Sequence, residues 1–237
     1  MKKICALTSF FVLIICLFLL HSCDKKHIEK DGLIFEKYTL VDINGNRTEG
    51  YKLTGCDENA EIVDIPAYIK NLPVYSIEYN AFENCKSIKE IVIPETVIFF
   101  NHALAKCVNI EKLTTPISDM YKLFANATPK KLKYIYLTDK CVKIDTGDFK
   151  NFTSLLEVHI PKSVKTVEDG TNYTYIGVNG HTPPSKIDNL PFLGCNPELK
   201  IYCEETSKPS GWGEYWNYIS ENQKLSVFWG EYKSDIN

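Results

Sequence analysis

A chain of 237 residues, 44% hydrophobic and 24% charged with 12 Gly and 11 Pro, can bury a sizeable core and is neither low-complexity nor disordered in bulk. Once Lys2 and Lys3 are set aside in an N-terminal targeting segment, 25 basic residues face 30 acidic ones, a net charge of −5. A mildly acidic chain without a basic stripe argues against nucleic acid as a partner.

Residues 1–22 read as an export signal. Met1-Lys2-Lys3 is a positive start, and Ile4 to Leu20 is an apolar run broken only by Thr8 and Ser9. The run is short for a membrane span. It ends at Leu20-His21-Ser22-Cys23, followed by the polar Asp24-Lys25-Lys26-His27. That junction resembles the lipobox of bacterial lipoproteins, in which a small residue precedes a cysteine that is acylated and becomes the new N-terminus. The resemblance implies Cys23 as the lipid attachment site, membrane contact through that lipid alone, and a place in the bacterial cell envelope. The alternative is an uncleaved signal anchor. In either case the positive-inside rule puts the rest of the chain outside the cytoplasm.

Residues 23–32, charged and short of apolar groups, read as a flexible tether. Leu33 to Val41 and Tyr51 to Gly55, joined across Asn44-Gly45-Asn46, read as a hairpin within a capping unit spanning 33–60.

From residue 61 the chain repeats. Ala81-Phe82-Glu83-Asn84-Cys85 leads into Ile88, Ile91, Ile93 and Pro94. The same grammar returns at Leu104, Cys107, Ile110, Leu113, Thr115 and Pro116, and at Phe149, Phe152, Leu155, Val158, Ile160 and Pro161. Weaker copies stand at Phe124 with Leu132, Ile135 and Leu137, and at Phe192 with Cys195, Ile201 and Cys203. Strand positions fall at 63, 91, 113, 135, 158 and 201, in steps of 28, 22, 22, 23 and 43. Each unit offers one short strand with apolar residues at i and i+2, a face it cannot bury alone, so neighbours must stack into a parallel ladder. The fold expected is a leucine-rich-repeat solenoid over 61–203, with loops or short helices between strands and about six rungs. The long last step makes 169–190 an insertion or a degenerate rung. Residues 204–237, with Trp212, Trp216 and Val227-Phe228-Trp229, form the C-terminal aromatic cap.

Asn80-Ala81-Phe82-x-x-Cys85 followed by Ile91-Val92-Ile93-Pro94-x-x-Val97 resembles the BspA-type leucine-rich repeat. Asn71-Leu72-Pro73-Val74-Tyr75-Ser76-Ile77 is similar to the way such arrays begin, and Pro209-Ser210-Gly211-Trp212 to the way they end. The pattern departs at Thr115, where an apolar residue is expected. The resemblance covers roughly residues 50 to 230, and it implies a surface protein that binds other proteins.

Six cysteines follow Cys23. Cys85, Cys107 and Cys195 share one repeat position that Phe152 fills elsewhere, and Cys203 sits where Ile93 and Ile160 sit. Buried thiols are the favoured reading for these four, although Cys85 and Cys107, one rung apart, leave a bridge geometrically open. Cys56 and Cys141 are off the pattern and unassigned. No Cys-x-x-Cys and no His pair at ligand spacing occurs, so no metal or other cofactor is expected. His181, Asp188 and Cys203 supply the residue types of a thiol triad, but an inward-facing Cys203 is inert. With no nucleotide, nucleophile-elbow or metalloprotease motif present, the chain does not read as an enzyme.

The outward residues of each strand follow from the period-2 rule: Asp64 and Val92, then Lys112 with Thr114, Tyr134 with Tyr136, Glu157 with His159, and Lys200 with Tyr202. A row holding Tyr134, Tyr136, His159 and Tyr202, rimmed by opposite charges, suits a protein partner such as a host, matrix or neighbouring-cell protein. Tyr is also simply a good strand residue. Trp212 and Trp216 offer the alternative of a glycan platform, although covering the solenoid end is their plainer role. The function read from the sequence is a lipid-anchored surface protein-binding or adhesion module that uses the ladder face. Glycan binding by the C-terminal aromatics is the alternative.

Overall fold

The computed structural model describes residues 27–41, 43–169 and 190–233. Seven strands of three or four residues form one parallel sheet: β4 (Ile62–Asp64), β7 (Glu90–Val92), β8 (Lys112–Thr115), β9 (Tyr134–Leu137), β11 (Glu157–Ile160), β13 (Lys200–Cys203) and β16 (Ser226–Trp229). They lie side by side in chain order, and Val63, Ile91, Leu113, Ile135, Val158, Ile201 and Val227 are register partners from end to end. The solenoid fold expected from the repeats is the fold observed, with the ladder longer by one strand. Ser226–Trp229, assigned to the cap on sequence, is its seventh rung. β11 pairs directly with β13, and residues 170–189 of the long step, read as an insertion or a degenerate rung, lie outside the described residues.

The repeat grammar becomes a set of buried columns. Phe82, Leu104, Phe124, Phe149 and Phe192 stand in one and are at most 2% exposed, while Ile88, Ile110, Leu132, Leu155 and Leu199 stand in another. Ile91 through Ile201 on the strands are fully buried. Every rung buries its face only against the next, so the core is one continuous cluster. Thr115 is fully buried at the apolar position. Its hydroxyl accepts the Ile117 N–H at 3.3 Å and lies 3.2 Å from the Ile117 carbonyl, which removes the cost of a polar atom there. Helix α1 (Met120–Phe124) is a single short insertion, N-capped by Asp119 accepting the Lys122 N–H.

Rungs are also tied at their entry edge. Glu111 N–H donates to Lys89 O, Lys133 N–H to Glu111 O, and Leu156 N–H to Lys133 O. The side chains of this edge alternate in charge, with Glu61–Lys89 at 2.9 Å and Glu111–Lys133 at 2.8 Å. These exposed pairs add little energy but favour the observed register, since a slip would bring like charges together.

Two short pairs, β10 (Lys143–Ile144) with β12 (Thr166–Val167) and β14 (Tyr218–Ser220) with β15 (Gln223–Lys224), lie beside the ladder strands in sequence, and the N-terminal part is a separate sheet, ordered β1 (His27–Lys30), β2 (Leu33–Val41), β3 (Arg47–Cys56), β6 (Leu72–Ile77) and β5 (Tyr68–Ile69). Residues 27–30, read as tether on sequence, are instead a strand antiparallel to β2. Asp31 and Gly32, both at positive φ, make the two-residue turn between them, and Ile28 packs against the core. Tyr75 locks this sheet. Its hydroxyl accepts the Leu40 N–H at 3.1 Å and lies 2.9 Å from both the Tyr38 and Thr48 carbonyls, between which its one proton is shared. The ring crosses Gly50, where a Cβ would collide with it and would sit 2.6 Å from Pro73 O. Leu33, Phe35 and Leu53 carry this sheet's apolar face into the solenoid core.

The cysteine reading needs one correction. Cys85 is not a free thiol: it is bonded to Cys56, with Cα atoms 6.6 Å apart. Parallel pairing of β3 with β6 brings the end of β3 beneath the first repeat turn, a contact invisible in the repeat grammar because Cys56 precedes the array. Cys107, Cys141, Cys195 and Cys203 are buried free thiols, and burial pushes them up to about 12, 11, 12 and 12 respectively. None is a nucleophile at neutral pH.

Two outcomes follow. The bridge closes a loop across 29 positions, so Cys56→Ser, or reduction of the wild type, lowers unfolding stability by about 3–4 kcal/mol in urea titrations with and without reductant. Burial raises the Asp148 carboxyl to about 6, against hydrogen bonds from Ser118 Oγ (2.6 Å) and the Asp145 N–H (2.8 Å) that favour its ionised form. A raised carboxyl contributes stability below its unfolded value, near pH 4, and loses it as pH rises through about 6. Asp148→Asn therefore gains on the wild type by ~1–2 kcal/mol between about pH 4 and pH 7, read from urea midpoints across that range.

Candidate functional site

The open face of the ladder carries two outward columns. One runs Ile62, Glu90, Lys112, Tyr134, Glu157, Lys200 and Ser226; the other runs Asp64, Val92, Thr114, Tyr136, His159, Tyr202 and Phe228. In-register parallel strands place like positions one strand spacing apart, roughly 4.8 Å. Planar side chains in one column can then stack, and four do. Tyr136 and His159 are 4.3 Å apart at 14°, His159 and Tyr202 4.8 Å at 9°, and Tyr202 and Phe228 5.0 Å at 19°. Lys112 Nζ lies 5.6 Å from the Tyr136 ring centroid and pairs with Glu90 at 3.2 Å, so the first column's charges flank the second column's rings.

Of the residues proposed for binding, the ladder does bring Tyr134, Tyr136, His159 and Tyr202 onto one face. Their exposure differs. Tyr134, Tyr136 and Tyr202 are partly exposed, whereas His159 is fully buried. The cause is the chain's own C-terminus. Beyond β16, Gly230 turns at φ 74, and the backbone follows the ends of the strands: Gly230 N–H donates to Glu205 O and Glu231 N–H to Cys203 O. Tyr232 then reaches across β11, its hydroxyl donating to Leu137 O at 2.9 Å and its ring meeting His159 edge-on at 6.2 Å. Burial there pushes the Tyr232 phenol up to about 12. The Lys233 N–H donates to His159 Nδ1 at 3.3 Å, which leaves Nε2 to carry the proton shared with Glu157 Oε2 at 3.2 Å. His159 is thus a buried structural link between ladder and tail rather than an exposed contact residue.

Trp212 and Trp216 depart from the platform reading. Each is 3% exposed. Their rings meet edge to face at 4.6 Å, Trp229 lies 5.7 and 6.0 Å from them, and Trp212 Nε1–H donates to Val164 O at 3.1 Å. Packed against the last rungs and one another, Trp212 and Trp216 are buried rather than presented as an open platform. Cys23, His181 and Asp188 lie outside the described residues, as does the apolar N-terminal run. No helix among the described residues is long and apolar enough to cross a membrane.

Phe228 and Tyr232 were missed on sequence. For Phe228 a signal existed: Val227-Phe228-Trp229 alternates like the other rungs, 26 residues after Ile201. For Tyr232 there was none, because its contact with Leu137 spans 95 positions.

The model of the BspA type leucine-rich repeat region matches residues 56–179, in six copies. No curated protein matches the chain. Among solved structures, the chain is similar to the leucine-rich repeat protein of T. pallidum, at 18% identity over 74% of this chain and 81% of that one, with a TM-score of 0.39. It is also similar to a leucine-rich cell surface protein of Faecalibacterium prausnitzii A2-165, at 15% identity over 61% of this chain and 45% of that one, with a TM-score of 0.29. The repeat match spans more than half of the sequence and covers the first five strands of the ladder, and the chain belongs to the BspA type leucine-rich repeat family.

Proposed function

We propose that this protein is a binding module of the bacterial cell envelope, held by a lipid on Cys23, that engages a protein partner through the ladder face. The observation that carries this reading is the continuous outward face of the seven-strand ladder, where partly exposed Tyr134, Tyr136 and Tyr202 alternate with Glu90, Lys112, Glu157 and Lys200. Tyrosines held rigidly by register offer large contact area at low entropic cost, and the interleaved charges set orientation. With His159 under the tail, contact centres on Tyr134 and its neighbours Lys112 and Glu157 rather than on the whole aromatic row. The buried, high-pKa thiols agree with a binding rather than a catalytic role.

Two experiments test the reading. Against a panel of purified extracellular-matrix proteins, the full chain is expected to bind at least one, and Tyr134→Ala to weaken that binding tenfold or more, about 1.4 kcal/mol, with circular dichroism unchanged. Wild-type binding that survives Tyr134→Ala and Lys112→Glu overturns the ladder face, and no binding at all overturns the role. Mass spectrometry of protein from the membranes of its own organism is expected to show a mature chain beginning at acylated Cys23. Cys23→Ala should abolish that species, and a chain that keeps Met1 would sink the anchor.

A further inference from the structure

Away from the ladder face, the N-terminal sheet holds a cleft of about 410 Å³ lined by Tyr38, Ser76, Glu78, Tyr79, Phe99 and Asn101. Three elements build it. Tyr38 comes from β2, while Ser76, Glu78 and Tyr79 come from the end of β6 and the residues after it. Phe99 and Asn101 come from a segment that adds to β6 like a further strand. Ser76 and Phe99 form a parallel bridge, Phe99 N–H donates to Tyr75 O, and Ile77 N–H donates to Phe99 O at 2.9 Å.

Three aromatic side chains here are open to solvent: Tyr79 at 47%, Phe99 at 41% and Tyr38 at 39%. The repeat phenylalanines Phe82, Phe124, Phe149 and Phe192, by contrast, are at most 2% exposed. Polar groups stand between them in fixed positions. Asn101 sits at φ 46, a left-handed conformation that Asn tolerates better than most residues. That turn lets its amide donate to Ile77 O at 2.8 Å and approach Ser76 Oγ at 3.4 Å. With the –NH₂ committed, Oδ1 is the atom left to accept from a ligand. Glu78 is anchored by Lys52 at 3.3 Å, and its side chain remains 42% exposed. Lys52 is shared with Glu36 at 3.5 Å and lies 5.7 Å from the Tyr38 ring centroid.

We propose that this cleft is a binding site for a neutral glycan. Lys52 is already shared between two carboxylates, so the cleft offers no surplus positive charge to an anionic sugar or a phosphate. Its size falls within the range of small-ligand sites, although it is open and shallow rather than a deep apolar pocket that would select a peptide side chain. The aromatic rings provide flat apolar surface for the C–H face of a sugar ring. Glu78 and Asn101 Oδ1 accept from its hydroxyl groups, and charge-assisted hydrogen bonds to Glu78 give direction. The site is separate from Trp212 and Trp216, and it does not depend on the ladder face.

The test uses the full chain and a panel of short neutral oligosaccharides: gluco-, manno-, galacto- and N-acetylhexosamine oligomers. Saturation-transfer NMR and calorimetry are expected to find at least one binder with Kd of ~1 mM or tighter. Tyr79→Ala and Phe99→Ala should each weaken it about tenfold or more, Glu78→Gln should weaken it with the rings intact, and Tyr68→Ala, on an exposed tyrosine outside the cleft, should leave it unchanged. Thermal midpoints of all variants confirm folding. No binding by any oligomer, binding indifferent to Tyr79, Phe99 and Glu78, or stronger binding of sulfated oligosaccharides or peptides at this cleft overturns the proposal. Because no ladder-face residue is altered, a failure here says nothing against the ladder-face reading.

Discussion

Everything in this molecule depends on in-register parallel stacking of strands that are too short to be stable alone. A three-residue strand such as Glu90–Val92 presents one fully buried side chain, and its burial exists only because another rung lies on either side. Stability is therefore collective. The ends are the weak points, and the chain treats them differently. The N-terminal end is met by a five-stranded sheet locked by Tyr75 and stapled by Cys56–Cys85. The C-terminal end is closed by three indoles and a tail that folds back over the strands.

The same register makes the outward face. Identical spacing of rungs turns a period in sequence into columns in space, and a column of planar groups becomes a stack. Tyr136, His159, Tyr202 and Phe228 hold one another at 4.3 to 5.0 Å, so register and stacking together fix where each ring sits. Rigidity favours recognition, because little freedom remains to be lost on contact. It also creates a hydrophobic surface that must be covered or used. The tail covers the part around His159, and Tyr134 with its charged neighbours stays accessible. The face is a half-shielded aromatic row rather than an open one.

The cleft on the N-terminal sheet follows a different logic. There the exposed rings belong to no column, and what gathers them is the joining of a hairpin sheet to the first turn of the array. Ser76 bridging to Phe99 and Asn101 capping Ile77 O are junction contacts. Junctions break periodicity, and broken periodicity is where concavity and mixed chemistry arise on an otherwise uniform solenoid.

By itself the sequence determined the repeat, its period and the inward set of side chains, because a one-residue slip in a two-periodic strand would send the whole apolar face into water. Even Thr115, off the pattern, keeps its place by bonding to its neighbour's backbone. The outward columns were legible for the same reason, and with them Tyr134, Tyr136 and Tyr202. Only tertiary structure decided which of these are accessible. Burial of His159 beneath Tyr232, pairing of Cys56 with Cys85 and the strand at 27–30 come from segments outside the repeat. Trp212 and Trp216 look alike as cap or platform until the Val164 carbonyl is seen to hold the Trp212 N–H. Local periodicity encodes which way a side chain points. What lies on top of it is set by contacts across tens of residues, which no local pattern carries.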